Sequence, residues 1–242
     1  MKFLPTTKEE MKNLGWDSID VLLISGDTYL DTSYNGSALV GKWLVEHGFK
    51  VGIIAQPEVD VPDDITRLGE PNLFFAVSGG CVDSMVANYT ATKKRRQQDD
   101  FTPGGENNKR PDRAVLVYSN MIRRFFKGTT KKIVISGIES SLRRITHYDY
   151  WTNKLRKPIL FDAKADILSY GMGEMSMLEL ANALKNGEDW KNIKGLCYLS
   201  KEMKEDYLSL PSHSECLVDK DKFIEAFHTF YLNCDPITAK GL

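Results

Sequence analysis

A doubly wound, mainly parallel α/β sheet of about five or six strands, carrying a C-terminal helical appendage, is the fold class this sequence predicts. Three observations predict it. Short apolar runs alternate with helical patterns along most of the chain. Several runs end in glycine followed by polar residues, as in LLISGD, FAVSGG, IVISGIES and ILSYGMGE. A parallel strand delivers its carboxyl end to a ligand-facing loop in this way. The third observation is that residues 20–55 form one strand–helix–strand unit of the ~30-residue size of a βαβ crossover.

Each element has its own justification. DVLLIS at 20–25 is a continuous apolar run, as expected of a strand buried on both faces. A turn-rich loop follows. Residues 37–47 place Ala38, Leu39, Leu44 and Val45 on one helical face, and Gly48 ends the helix. KVGIIA at 50–55 is the second strand, 62–68 a short helix, and NLFFAVS at 72–78 a third strand running into Gly79-Gly80. Residues 92–112 lack periodicity and are expected to be a long, mobile surface loop. Helical spacing returns at 113–126 with Ala114, Val117, Tyr118, Met121 and Phe125. Strands are expected at 132–136 and 165–170, with a late edge strand at 193–199. Helices are expected to start at 141–145 and to span 174–185. After Lys201 proline and serine appear, then a helix at 220–231 with Phe223, Phe227 and Phe230 on one stripe. The expected organisation is an α/β domain over 1–205 and a linker plus helix over 206–242.

Composition narrows the function classes. A chain of 242 residues buries roughly 70–75% of its extended surface, so it needs no disulfide or metal staple. Net charge is -1, which supplies no global field for nucleic acid or an anionic membrane. No apolar run approaches the ~20 residues of a membrane span, and MKFLPTTKEE is a poor signal peptide. A cytoplasmic protein is expected. Cys81, Cys197, Cys216 and Cys234 are far apart and form no CxxC pair, so free thiols are expected.

The strand-end loops supply the candidate site, a ligand or interface crevice with no complete catalytic set and no metal set. Asp27 and Asp31 follow the first strand without GxGxxG spacing or a Walker lysine; ligand contact and helix or turn capping stand as equal readings. Gly79 closes the third strand. Gly137 and Glu139 follow the fourth, with Ser140 or Ser141 a sensible N-cap. Gly171, Gly173 and Glu174 open a helix, where close backbone approach and free N–H groups meet; a capping role for Glu174 is favoured. The segment Arg143, Arg144, His147, Tyr148, Asp149, Tyr150 and Trp151 is rich in the residues of docking surfaces, so an interface or ligand wall is favoured over acid–base catalysis. The basic run Lys93–Arg96 is followed by Asp99 and Asp100 and has little aromatic interleaving; nucleic acid is not expected as a partner.

The segments GDTYLDTSYNGSALVGKWLVEHGFKVGIIAQP, RLGEPNLFFAVSGGCVDSMVANYTATKKRRQQDDFTPGG, KRPDRAVLVYS, GIESSLRRITHYDYW and KADILSYGMGE occur in order. Together they resemble the N-terminal region of YgiQ family radical SAM proteins over nearly the whole chain. The resemblance implies a Rossmann-like domain, related to cobalamin-binding domains, that precedes a radical SAM barrel. In that family the barrel carries a CxxxCxxC triad for a four-iron four-sulfur cluster that binds S-adenosylmethionine. This sequence has no such triad, so no cofactor is expected in this chain, which is expected to be inactive alone. A truncated or split protein is the corresponding expectation. DxHxxG is absent as well, and cobalamin is not expected. The implied function is an accessory domain that helps enclose substrate or cofactor beside the barrel, in cis or as a separate chain, with the substrate undefined. The alternatives are a stand-alone small-ligand or phosphate-binding protein and, more weakly, an RNA-binding module.

Overall fold

The computed structural model describes residues 3–30, 35–235 and 237–242. In chain order the elements are α1 (Lys8–Asn13), β1 (Val21–Ser25), α2 (Gly36–Glu46), β2 (Val51–Ala55), α3 (Pro62–Thr66), β3 (Phe74–Ser78) and α4 (Ser84–Asn88). They continue with α5 (Ala114–Phe125), β4 (Lys132–Ser136), α6 (Gly137–Ser141), β5 (His147–Asp149), β6 (Lys154–Arg156) and α7 (Ile159–Ala163). The last are β7 (Ile167–Ser169), α8 (Glu174–Asn186), β8 (Leu196–Tyr198), α9 (His213–Val218) and α10 (Lys220–Leu232). The chain divides into two compact units, 1–144 with 159–198, and 145–158 with 199–242.

The first unit is the predicted α/β sheet. Its six strands run in the order β2-β1-β3-β4-β7-β8, parallel except for the antiparallel β7–β8 pair at the edge. The apolar runs decide this arrangement. β1 is buried at all five positions, as only a central strand covered on both faces can be. One core layer packs Ile24, Phe75, Val77, Ile133 and Ile135 against Tyr118, Met121 and Ile122 of α5. The opposite layer packs Leu23, Ile53, Phe74 and Val134 against Leu44 of α2 and Met177, Leu180 and Ala181 of α8. Order reverses between β1 and β3: from β1 the chain goes out to β2 and returns to β3 on the other side. That reversal is where such sheets open a crevice.

Three local expectations are corrected. The helix after β4 begins at Gly137 and ends at Ser141 rather than starting at 141–145. Its N-cap is Ser136, so neither Ser140 nor Ser141 caps it; Ser141 instead donates from its hydroxyl to the Gly137 carbonyl one turn back (2.8 Å). The stretch 92–112 is a folded excursion, not a free surface loop. It is tied by Tyr89–Arg95 and Gln98–Glu106 bridges and buries Asp99, Thr102 and Arg110. Buried charges need partners, and these find them in one another and in Asp27. The second unit comprises the β5–β6 hairpin with α9 and α10. Ser212 and Glu215 close a reciprocal capping box that starts α9. Among the described residues no helix is long and apolar enough to cross a membrane.

Candidate functional site

Three adjacent parallel strands end on serine in matching register, Ser25 beside Ser78 and Ser78 beside Ser136. Ser169 ends β7 in the same sheet. Glycine follows the first three directly and β7 after one residue, so the backbone turns away from the sheet at each point. Between these strand ends and the first turns of α2 and α8 lies a crevice of about 340 Å³. This is within the size range of small-molecule sites. Its polar lining includes Ser25, Ser78, Ser136 and Asn35, and its apolar lining includes Leu39, Ile138, Met172 and Met177. No lysine or arginine is among the described lining residues.

The serines also organise the loops. Ser25 Oγ accepts from Asp27 N (3.1 Å), and Ser78 Oγ accepts from Gly80 N (3.2 Å), each folding the chain into a tight turn. The β1 and β3 loops then press together. A Cβ on Gly26 would overlap the Gly79 carbonyl, and a Cβ on Gly80, whose φ is +114°, would overlap the Asp27 carboxylate. Glycine is required at both places.

Asp27 is buried, accepts from Cys81 N (2.6 Å) and pairs with Arg110 at 2.7 Å. The same Arg110 nitrogen reaches Asp99 at 3.2 Å. Thr102 donates to Asp99 (2.8 Å), and Gln56 donates both to Thr102 (2.7 Å) and to the Gly26 carbonyl (3.0 Å). The excursion 92–112 is thereby locked onto the β1 loop. Burial raises the Asp27 pKa above its ordinary value, against the opposing pull of Arg110. Burial, with Asp27 alongside, pushes the Cys81 thiol up to about 12.

Glu139 makes a second buried junction. Its two oxygens accept from Ser84 N (3.0 Å) and Val115 N (3.2 Å), the first turns of α4 and α5. One carboxylate satisfies orphan donors of two helices. Burial raises its pKa, with Asp83 adding to the rise and Ser84 opposing it. Arg143 pairs with Asp83 and donates to the Glu139 carbonyl (3.0 Å). Arg144 stacks over Tyr170 at 4.8 Å from the ring centroid.

Of the sequence-predicted site residues, Asp27, Gly137, Gly171, Gly173 and Glu174 converge on the crevice. Gly79 sits in the β1–β3 loop contact, and Glu139, Arg143 and Arg144 support the neighbouring loops. Glu174 is the first residue of α8, whose N-cap is Gly173. Asp31 lies outside the described residues. His147, Tyr148, Asp149, Tyr150 and Trp151 belong to the second unit. There Asp149 is buried and accepts from Thr152 N (3.2 Å) and Arg156 Nε (3.3 Å), holding the hairpin turn. His147 Nδ1 lies 3.1 Å from the Ile145 carbonyl, Tyr148 donates to Asn153 (2.7 Å), and Tyr150 meets Trp151 edge to face.

Sequence reasoning missed the serine row, Asn35, Gln56, Asp99 and Arg110. Only the serine row carried a signal, because each strand motif visibly ends in Ser before its glycine.

The residues present do not fit an iron–sulfur cluster. Cluster ligation requires closely spaced thiolates. Among the described residues no three His, Cys, Asp or Glu side chains group as metal ligands. Burial also holds the Cys197 thiol up at about 11.

An open, mainly parallel sheet with a crevice at its carboxyl edge defines this as a doubly wound α/β domain. The chain belongs to the radical SAM N-terminal family, whose model matches residues 3–242. It is 98% identical over its whole length to a UPF0313 protein of Fusobacterium nucleatum, of which it covers 43%. It is 52% identical over 97% of its length to a UPF0313 protein of Thermotoga neapolitana, of which it covers 41%. The chain thus spans about two fifths of the length of these curated relatives. Among solved structures, a radical S-adenosylmethionine methyltransferase from Kitasatospora setae with cobalamin and a four-iron four-sulfur cluster bound shares the fold. It matches with a TM-score of 0.51 and 18% identity over 76% of this chain and 28% of that one.

Proposed function

We propose that this chain is the accessory domain of a radical SAM enzyme, and that its crevice forms one wall around the substrate or cofactor while a barrel covers the mouth. The observation that carries this reading is an apolar rim. Ile138 (47% exposed) and Met172 (86%) line the crevice and face solvent; Leu142 (63%), the residue after α6, is exposed as well. Val86 and Met175, on α4 and α8, are also exposed. Exposed apolar residues lining a concave site, here Ile138 and Met172, mark a surface that another protein body covers. The cluster and S-adenosylmethionine belong on that covering body, since no such ligand set groups among the described residues and the sequence has no CxxxCxxC. Cobalamin is not part of the proposal: the crevice lies in a chain without DxHxxG.

Hydroxyl-radical footprinting tests the reading. Labelling at Met172 and Ile138 is compared between this chain and the longer Fusobacterium nucleatum relative. Protection of roughly tenfold or more in the longer protein, about 1.4 kcal/mol in apparent access, is expected. Equal labelling in the two would overturn it.

A further inference from the structure

The second unit carries an apolar surface that the crevice reading does not use. Helix α10 has two stripes. Phe223, Ala226 and Phe230 recur at helical spacing, with Ala226 buried and both phenylalanines partly buried. Roughly a quarter-turn further round lies a second stripe, Ile224, Phe227 and Tyr231. All three are exposed, at 50%, 53% and 65%, and the Phe227 and Tyr231 rings stack with centroids 6.0 Å apart. A surface helix needs one apolar stripe to seat itself; apolar residues over about half the circumference belong to a helix covered on two sides. Leu217 and Val218, at the end of α9, are exposed as well.

The length of a relative bears on what covers this stripe. The relative that is 98% identical across the whole of this chain extends well beyond the match, which takes up 43% of it. More than half of that polypeptide lies outside the matched segment. We propose that the Ile224–Phe227–Tyr231 stripe of α10 is a docking face for that remaining polypeptide, which meets it with an apolar surface of its own. Two aromatic rings at the centre of the stripe are the residue type that anchors protein interfaces, since they desolvate a large area at small cost in side-chain entropy. This inference concerns the second unit and does not depend on what the crevice binds.

Site-specific photocrosslinking in the full-length Fusobacterium nucleatum relative tests it. Benzoylphenylalanine replaces Phe227 in one sample and Glu225, exposed and off the stripe, in another. Crosslinks from position 227 to peptides outside the matched segment, at roughly tenfold the yield from position 225, are expected. Crosslinks to a second copy, equal yields, or none from position 227 would each overturn the proposal. A paired variant gives a second readout. Ile224→Asp with Phe227→Asp should leave the melting temperature of the 242-residue chain within about 2 °C and lower that of the longer relative by 4 °C or more, on the order expected for loss of a buried contact. Equal shifts in both proteins would also overturn it.

Discussion

On the β1–β3–β4 flank of the crevice, the polar groups that follow the strand-end glycines are consumed by the protein itself. Asp27 is held by Cys81 N and Arg110, Glu139 by the starts of α4 and α5, and Asp83 by Arg143. On the β7 flank, Gly171-Met172-Gly173 leads into α8 with no side-chain cap, and Met172 stands 86% exposed. Both flanks come from a strand ending in serine with glycine next or one residue on. The difference shows that a polar residue after a strand is available to a ligand only when neighbouring backbone and side chains have not already claimed it. The closed flank gives the crevice a rigid floor, and the open flank leaves a surface for something else to meet.

The largest expected effect breaks the closed flank. Arg110→Met leaves Asp27 and Asp99 buried without their shared cation. It should cost about 3–5 kcal/mol in urea unfolding, the range for removing one member of a buried charge group. A cost below about 1 kcal/mol would mean the excursion 92–112 is not locked to the β1 loop.

Glu139 is next. Glu139→Ala strands two helix-start donors and should cost about 2–3 kcal/mol. The pH dependence carries a definite sign. Burial raises the Glu139 pKa in the folded state, so the folded protein binds the proton more tightly than the unfolded chain. Its contribution therefore declines as pH rises from the ordinary glutamate range through the raised value. Glu139→Gln stays neutral throughout and should flatten that decline in denaturation midpoints taken from about pH 4 to about pH 8. An unchanged slope would place the coupling elsewhere, Asp27 being the other buried carboxyl raised in the same direction.

The excursion offers an intermediate case. Arg95 donates to Asn107 and pairs with Asp112, and Arg96 donates to the Val86 and Tyr89 carbonyls, all at exposed positions. Replacing Lys93, Lys94, Arg95 and Arg96 together by serine should cost about 1–2 kcal/mol, well short of Arg110→Met. A quadruple variant as damaging as the single buried one would erase the distinction between the excursion's outer and inner faces.

The smallest effects belong to the open flank and to added cofactors. Met172→Asp should change stability by under about 0.5 kcal/mol, because its side chain has little packing to lose. Anaerobic reconstitution of this chain with iron and sulfide should yield no cluster absorbance and no cleavage of S-adenosylmethionine. Titration with hydroxocobalamin should leave the corrin spectrum unchanged. A saturable spectral shift would show that the crevice accepts that cofactor without a DxHxxG histidine.

Much of the first unit was legible because its signals are local. VLLIS, VGIIA, FFAVS and KIVIS announce strands buried on both faces, and the spacing in 114–125 announces α5. The convergence of the loops near Asp27, Gly137 and Gly171 followed from parallel topology alone. Arg110 was not legible. Within KRPDR it looks like any solvated arginine, and only its distance from Asp27 and Asp99 reveals the pairing. The position of Glu139 just after the fourth strand puts it near the site, but its partners at Ser84 and Val115 lie 55 and 24 residues away.

The sequence by itself determined the strand–helix alternation, the edge on which the polar loops gather and the family to which those loops belong. The first two depend on hydrophobic periodicity and glycine placement, which act over a few neighbouring residues; the family rests on the resemblance of long specific segments in order. Tertiary structure alone decided which of the gathered groups stay open. It spent Asp27, Asp99 and Glu139 on buried partners and grouped 145–158 with 199–242 as a separate unit. Burial makes an unpaired charge costly, and the partner that relieves the cost is chosen by proximity in space, which no local pattern encodes.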